Sequence, residues 1–134
     1  MIDHMSLNVA DFDAMLAFYE KAMAPLGCTV LIRFGKEVTG HADVAGFGST
    51  KPFFWLAGTG RTHPIMHIAF RAENRAEVDA FYEAAMAAGG VDNGKPGIRE
   101  MYHPNYYGAF VFDPEGHNIE AVCHKSPEEM GADE

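Results

Sequence analysis

Three side chains of this sequence belong to the types that hold divalent metal ions. They are His4 in DHMSLNV, His67 in MHIAF and Glu120 in HNIEAV. Neutral imidazole nitrogens and a carboxylate oxygen suit Zn, Mn, Fe, Ni or Co, and three such donors leave positions for water and substrate oxygens. An ion held in this way acts as a Lewis acid on those oxygens. A plainer reading stands beside it: each histidine is an ordinary hydrogen-bonded residue, and Glu120 pairs with Arg33 or Arg71. Other residues extend the candidate site. Trp55 reads as a platform for substrate or as packing, Tyr107 as a hydrogen-bond donor or acid, and Arg33 and Arg71 as anion-binding groups. His103, in MYHPNYYG, reads as a general acid/base or as a common loop histidine. His117 is expected to be structural.

The elements that must position these residues come in duplicate. AFYEKAMA at 17–24 returns as AFYEAAMA at 80–87, and the offset of 63 carries His4 onto His67, Asp11 onto Asn74, Phe18 onto Phe81 and Gly27 onto Gly90. Asp11 and Asn74 are N-cap residues, and apolar residues follow each at helical spacing. After each helix the period falls to two. Strands are expected near Thr29–Phe34, His41–Phe47 and Phe53–Ala57 in the first half. In the second half they are expected at Tyr106–Asp113 and His117–His124, joined by the turn DPEG, with a weaker one between Val91 and Glu100.

The expectation is an α+β fold of two βαβββ modules forming a curved mixed sheet cup, with helices on the outer face. Alternation places His4, His67 and Glu120 on the inner wall, against helix-facing sets such as Met5, Leu7 and Val9 or Ile119, Ala121 and Cys123. The same counting puts Tyr107, Ala109 and Val111 inside and turns Tyr106 outward.

Composition narrows the classes. The 134 residues predict one domain at about 1–125, with modules at about 1–58 and 64–125 and an acidic end at 126–134. A net charge of −9 argues against a nucleic-acid partner, and no apolar run is long enough to span a membrane. No signal peptide is expected. Cys28 and Cys123 stand in no metal or redox spacing and predict a reducing, cytoplasmic setting.

DHMSLNV, MHIAF and above all DPEGHNIEAV, in paired βαβββ modules, resemble the vicinal oxygen chelate superfamily. That superfamily includes glyoxalase I, extradiol dioxygenases, bleomycin-binding proteins and fosfomycin thiol transferases. The resemblance covers Ile2 to about His124 and implies one divalent metal on His4, His67 and Glu120. It also implies an oxygen-bearing small-molecule substrate, possible use of a thiol co-substrate, and a homodimer in which modules are sometimes exchanged. Glyoxalase I uses a fourth ligand in the first module; here that position is Trp55 or, without a gap, Ala57, and neither binds metal. The basic residues that hold a phosphonate beyond the last strand in fosfomycin transferases are replaced by CHKSPEEMGADE. The reading is a glyoxalase-like metalloenzyme of lyase, isomerase or thiol transferase type. Alternatives are a metal-free binding protein of bleomycin-resistance type and, second, a fosfomycin-type thiol transferase or small dioxygenase.

Overall fold

A computed structural model describes residues 1–129. The chain runs β1 (Met5–Asn8), α1 (Phe12–Met23), β2 (Thr29–Phe34), α2 (Lys36–Thr39), β3 (Val44–Gly48) and β4 (Pro52–Ala57). The second module repeats the order as β5 (His67–Arg71), α3 (Arg75–Ala87), β6 (Val91–Ile98), β7 (Tyr107–Phe112) and β8 (Asn118–Cys123). Each module is one four-stranded mixed sheet, in the orders β1-β4-β3-β2 and β5-β8-β7-β6. The α+β class and the two βαβββ modules are as the sequence predicts. The sheets are open, and within one chain they do not close into a single cup.

Local chemistry explains the elements. Asp11 accepts the Ala14 N–H at the start of α1, and Asn74 accepts that of Glu77 at the start of α3. Gly27, at φ 76°, ends the turn after α1 in the left-handed region that glycine tolerates. The short helix α2 was not expected; Asp43 accepts the Lys36 N–H at its start, and Thr39 accepts the Ala42 N–H at its end. It delays β3 to Val44, so the strand expected from His41 begins three residues later.

Both sheets direct their apolar faces into one shared core. Seven residues of α1 are buried there, among them Met15, Phe18, Tyr19 and Met23. Burying side chains of this size stabilises by about 1.5–3 kcal/mol each. Phe54 of β4 meets Phe70 of β5 edge to face at 5.2 Å, so aromatic packing joins the modules. The opposite faces of the sheets carry the polar residues. Among the described residues no helix is long and apolar enough to cross a membrane.

The DPEG turn does more than reverse the chain. Asp113 accepts the buried Tyr19 hydroxyl at 2.6 Å and the backbone N–H groups of Glu115 and His117. Burial, followed by the Asp113 charge, pushes the Tyr19 phenol well up from its ordinary value, so it remains a donor. Glu115 accepts the N–H groups of Ala10 and Asp11 just before α1. Two carboxylates of the second module thus fasten the first module's helix, Glu115 at its entrance and Asp113 further along it at Tyr19. Glu115→Ala removes the charged acceptor of those N–H groups and is expected to cost about 1–3 kcal/mol. Tyr19→Phe removes one donor from Asp113 and is expected to cost about 1–2 kcal/mol. Equilibrium urea unfolding of the two variants measures both losses.

Candidate functional site

β8 is a central strand, and its alternation decides the site. Ile119, Ala121 and Cys123 point into the core, while Glu120 lies on the opposite face between Ala69 of β5 and Phe110 of β7. Glu120 is nonetheless fully buried, because its neighbours cover it. A buried carboxylate is costly unless each oxygen finds a donor, and here each does. Oε1 lies 2.7 Å from His67 Nε2. Oε2 accepts the Tyr106 hydroxyl. His67 itself remains half exposed, with its ring 6.2 Å from that of Phe110.

The β5–β8 register brings His67 and Glu120 together. His67 pairs with Asn118 and Ala69 with Glu120, so His67 is diagonal to the carboxylate and its ring reaches it along the same face. Two donors about 2.1 Å from one ion stand roughly 3 Å apart when they subtend a right angle. The observed 2.7 Å is within a few tenths of that, and the types are one imidazole nitrogen and one carboxylate oxygen. His67 and Glu120 therefore fit as two members of a metal donor set.

His4 does not join them within the chain. It precedes β1, its side chain is 58% exposed, and Nδ1 sits 2.7 Å from Asp3 Oδ1. Among the described residues no three His, Cys, Asp or Glu side chains converge closely enough to hold an ion. The convergence of His4 on the other two, open in the sequence between one chain and a dimer, is not made within the single chain among the described residues. His4 stands just before β1 of the first sheet, and the two sheets are joined through their apolar faces.

The register also decides which residue of the first module stands where Glu120 stands in the second. Ser6 pairs with Trp55 and Ala69 with Glu120, and Ser6 and Ala69 are 63 residues apart. Trp55 is therefore the counterpart, and Ala57 is not. Its indole lies over Gly46, where an added Cβ would come within 3.1 Å of the ring. The half-buried indole thus forms a flat wall on the polar face of the first sheet.

Two further expectations are reversed. Tyr107 faces the helix, where its hydroxyl donates to Asp79 of α3 at 2.6 Å and the Arg75 guanidinium lies over its ring. Burial, together with the Asp79 hydrogen bond, pushes its phenol up to about 12. Tyr106 occupies the opposite face, where Tyr107 was expected. Arg33 is also turned away from the site. It lies 4.0 Å from Asp13 and over the Phe12 ring, because a bulge between Val30 and Ile32 switches the parity of β2.

Arg71 shares the face of His67 but pairs with Glu73 at 3.8 Å rather than with Glu120. His103 sits in the loop before β7, where its Nδ1 accepts the Asn105 N–H and its ring lies 6.1 Å from that of His124. His117 is buried, and its Nδ1 accepts the Met66 N–H.

Tyr106 is the site residue that strand counting missed. Its signal was available: Tyr106 shares parity with Phe110, and Phe110 lies directly opposite Glu120. Burial and the Glu120 carboxylate push its phenol far up, which keeps it a donor.

The architecture has many relatives of known structure. The chain is similar to a glyoxalase/bleomycin resistance protein from Albidiferax ferrireducens T118, with a TM-score of 0.75 and 24% identity over 93% of this chain and 99% of that one. It is also similar to the fosfomycin resistance protein FosX from Listeria monocytogenes, with a TM-score of 0.64 and 17% identity over 97% and 95% of the two chains. A third similar structure is the E144Q mutant of glyoxalase I from Zea mays, with a TM-score of 0.66 and 19% identity over 90% of this chain but 44% of that one. A search of curated proteins returns no match. The family model for the Glyoxalase/Bleomycin resistance protein/Dioxygenase superfamily matches residues 1–121, and the chain belongs to that superfamily.

Proposed function

We propose that this protein is a glyoxalase-like, metal-dependent enzyme that acts on an oxygen-bearing small molecule. The observation that carries the reading is the pair His67 Nε2 and Glu120 Oε1, 2.7 Å apart on the polar face of the second sheet. A divalent ion bound there supplies Lewis-acid stabilisation of negative charge developing on substrate oxygens. The chain's own residues do the rest. Phe110 and the Glu120 surroundings exclude water from one side, and Trp55, on the polar face of the first sheet, offers a flat surface to that substrate only where a second copy brings its first sheet over the site. His103 and His124, beside Tyr106, are the exposed imidazoles near enough to exchange protons with a substrate held over the sheet.

The third donor is proposed to be His4 of the partner subunit in a homodimer. Among the described residues β1 pairs only with β4 and β5 only with β8, so both strands have an edge that none of these residues covers by strand pairing. A groove of about 330 Å³ runs along β5, lined by Ile2, Met5, Phe53 and Ile68, and Ile2 is 81% exposed beside His4. Exposed apolar residues next to free strand edges favour pairing with a second copy. A cytoplasmic setting and a thiol co-substrate belong to the same proposal. They rest on the reduced, buried Cys28 and Cys123 and on the superfamily.

A second reading has an observation of its own. The chain His67–Glu120–Tyr106 leaves neither carboxylate oxygen without a hydrogen-bond partner, as a cup that binds a ligand without chemistry also requires.

Metal analysis of untagged protein separates the two. About one equivalent of divalent metal per chain is expected, with His67→Ala and Glu120→Gln each losing at least about tenfold in affinity. Equal trace metal in wild type and both variants gives the binding-protein reading. Mixed dimers of His4→Ala and Glu120→Gln chains are expected to recover one intact site per heterodimer. Failure to recover any overturns His4 of the partner subunit as the third donor.

A further inference from the structure

Glu120 has two oxygens, and which of them faces His67 decides how it can act as a ligand. A free glutamate rotates about its last bond and offers one or both oxygens to an ion. In this chain the rotation is stopped from one side. Tyr106 stands just before β7, its ring lies along the polar face of the sheet, and its hydroxyl donates to Oε2. Oε1 is left toward His67.

The setting is built for that contact. Gly108 lies between Tyr106 and Phe110 on the same face, and it has no side chain to obstruct them. A Cβ there would come 3.1 Å from the Tyr106 ring and 3.4 Å from Glu120 Oε2. The Tyr106 ring is held edge to face by Tyr102 at 5.0 Å and by His124 at 4.9 Å. Its backbone is tied as well: Arg99 N–H donates to the Tyr106 carbonyl, and Tyr106 N–H donates to that of His103. A ring fixed on two sides and at the backbone presents its hydroxyl at one place.

We propose that Tyr106 is a positioning residue that holds Glu120 as a one-oxygen ligand, with Oε1 beside His67 and Oε2 withheld. The inference rests on the metal reading above and adds to it the residue that sets the denticity of the carboxylate. Partners of metal ligands commonly govern affinity by 10–100-fold, because an unheld ligand must be ordered at the moment of binding.

Tyr106→Phe keeps the ring and removes the donor. Zn²⁺ affinity is measured by competition titration on the full chain, beside wild type, Glu120→Gln and the double variant. Tyr106→Phe is expected to weaken Zn²⁺ about tenfold. It is expected to add nothing in the Glu120→Gln background, since it acts through that carboxylate. With Co²⁺ as a spectroscopic probe, the visible bands of Tyr106→Phe are expected to shift as the second oxygen becomes free to bind. A role confined to packing leaves affinity and Co²⁺ bands unchanged and lowers only the melting temperature of the metal-free protein. That result, with Glu120→Gln still losing Zn²⁺, overturns the positioning role and leaves the metal site standing. Unchanged Zn²⁺ binding in Glu120→Gln overturns the metal reading, and the role of Tyr106 with it.

Discussion

A carboxylate with no exposed surface sets the terms for one whole face of this protein. Glu120 is tolerable beside Phe110 and Val122 only because both of its oxygens have hydrogen-bond partners. Each donor depends on something further away. His67 arrives by the parallel β5–β8 register, and Tyr106 arrives because residue 108 is glycine. Replacing any of these by a residue of similar polarity but different shape leaves a buried carboxyl group with too few partners. The cost of such a loss exceeds what the hydrogen bond contributes when it is present.

The duplicated module shows how one scaffold carries two different faces. Strand order, helix caps and core positions are common to both halves, since each sheet needs the same apolar cover. The polar faces are free of that demand and have diverged. Where the second module sets Glu120 over the sheet, the first sets Trp55 over Gly46. One half offers donors and the other a flat apolar wall. The halves are also unequal in how they are fastened, since Asp113 and Glu115 reach from the second module to Tyr19 and to the start of α1.

Much of this was legible in the sequence. The offset of 63 carried caps, helices and histidines together, and strong periodicity places a helix well. α2 escaped because four residues between glycines have no period to detect. Arg33 was misplaced because a bulge adds a residue to β2 without marking the sequence, and every side chain after it changes face. Tyr107 was misplaced for a different reason. Gly108, Phe110 and Phe112 on one face of β7 are about as apolar as Tyr107, Ala109 and Val111 on the other. Alternation therefore carries no sign there, and only the pairing of Phe110 with Glu120 supplies it. Contacts between modules, such as Glu115 with Ala10, depend on how the halves dock, which no local pattern records.

The docking of the halves also bears on where a third ligand can come from. Phe54 and Phe70 join the two apolar faces in one core, so the polar face of each sheet is turned away from that junction. His4 then lies with the polar surface of the first sheet, and His67 and Glu120 with that of the second. Bringing them together within one chain would require separating Phe54 from Phe70 and exposing the core, at about 1.5–3 kcal/mol for each large side chain uncovered. Laying a second copy along the free edge of β5 requires no such loss and covers apolar residues that one chain leaves in water. On that balance, the homodimer proposed above would complete the donor set at lower cost than any rearrangement of the monomer.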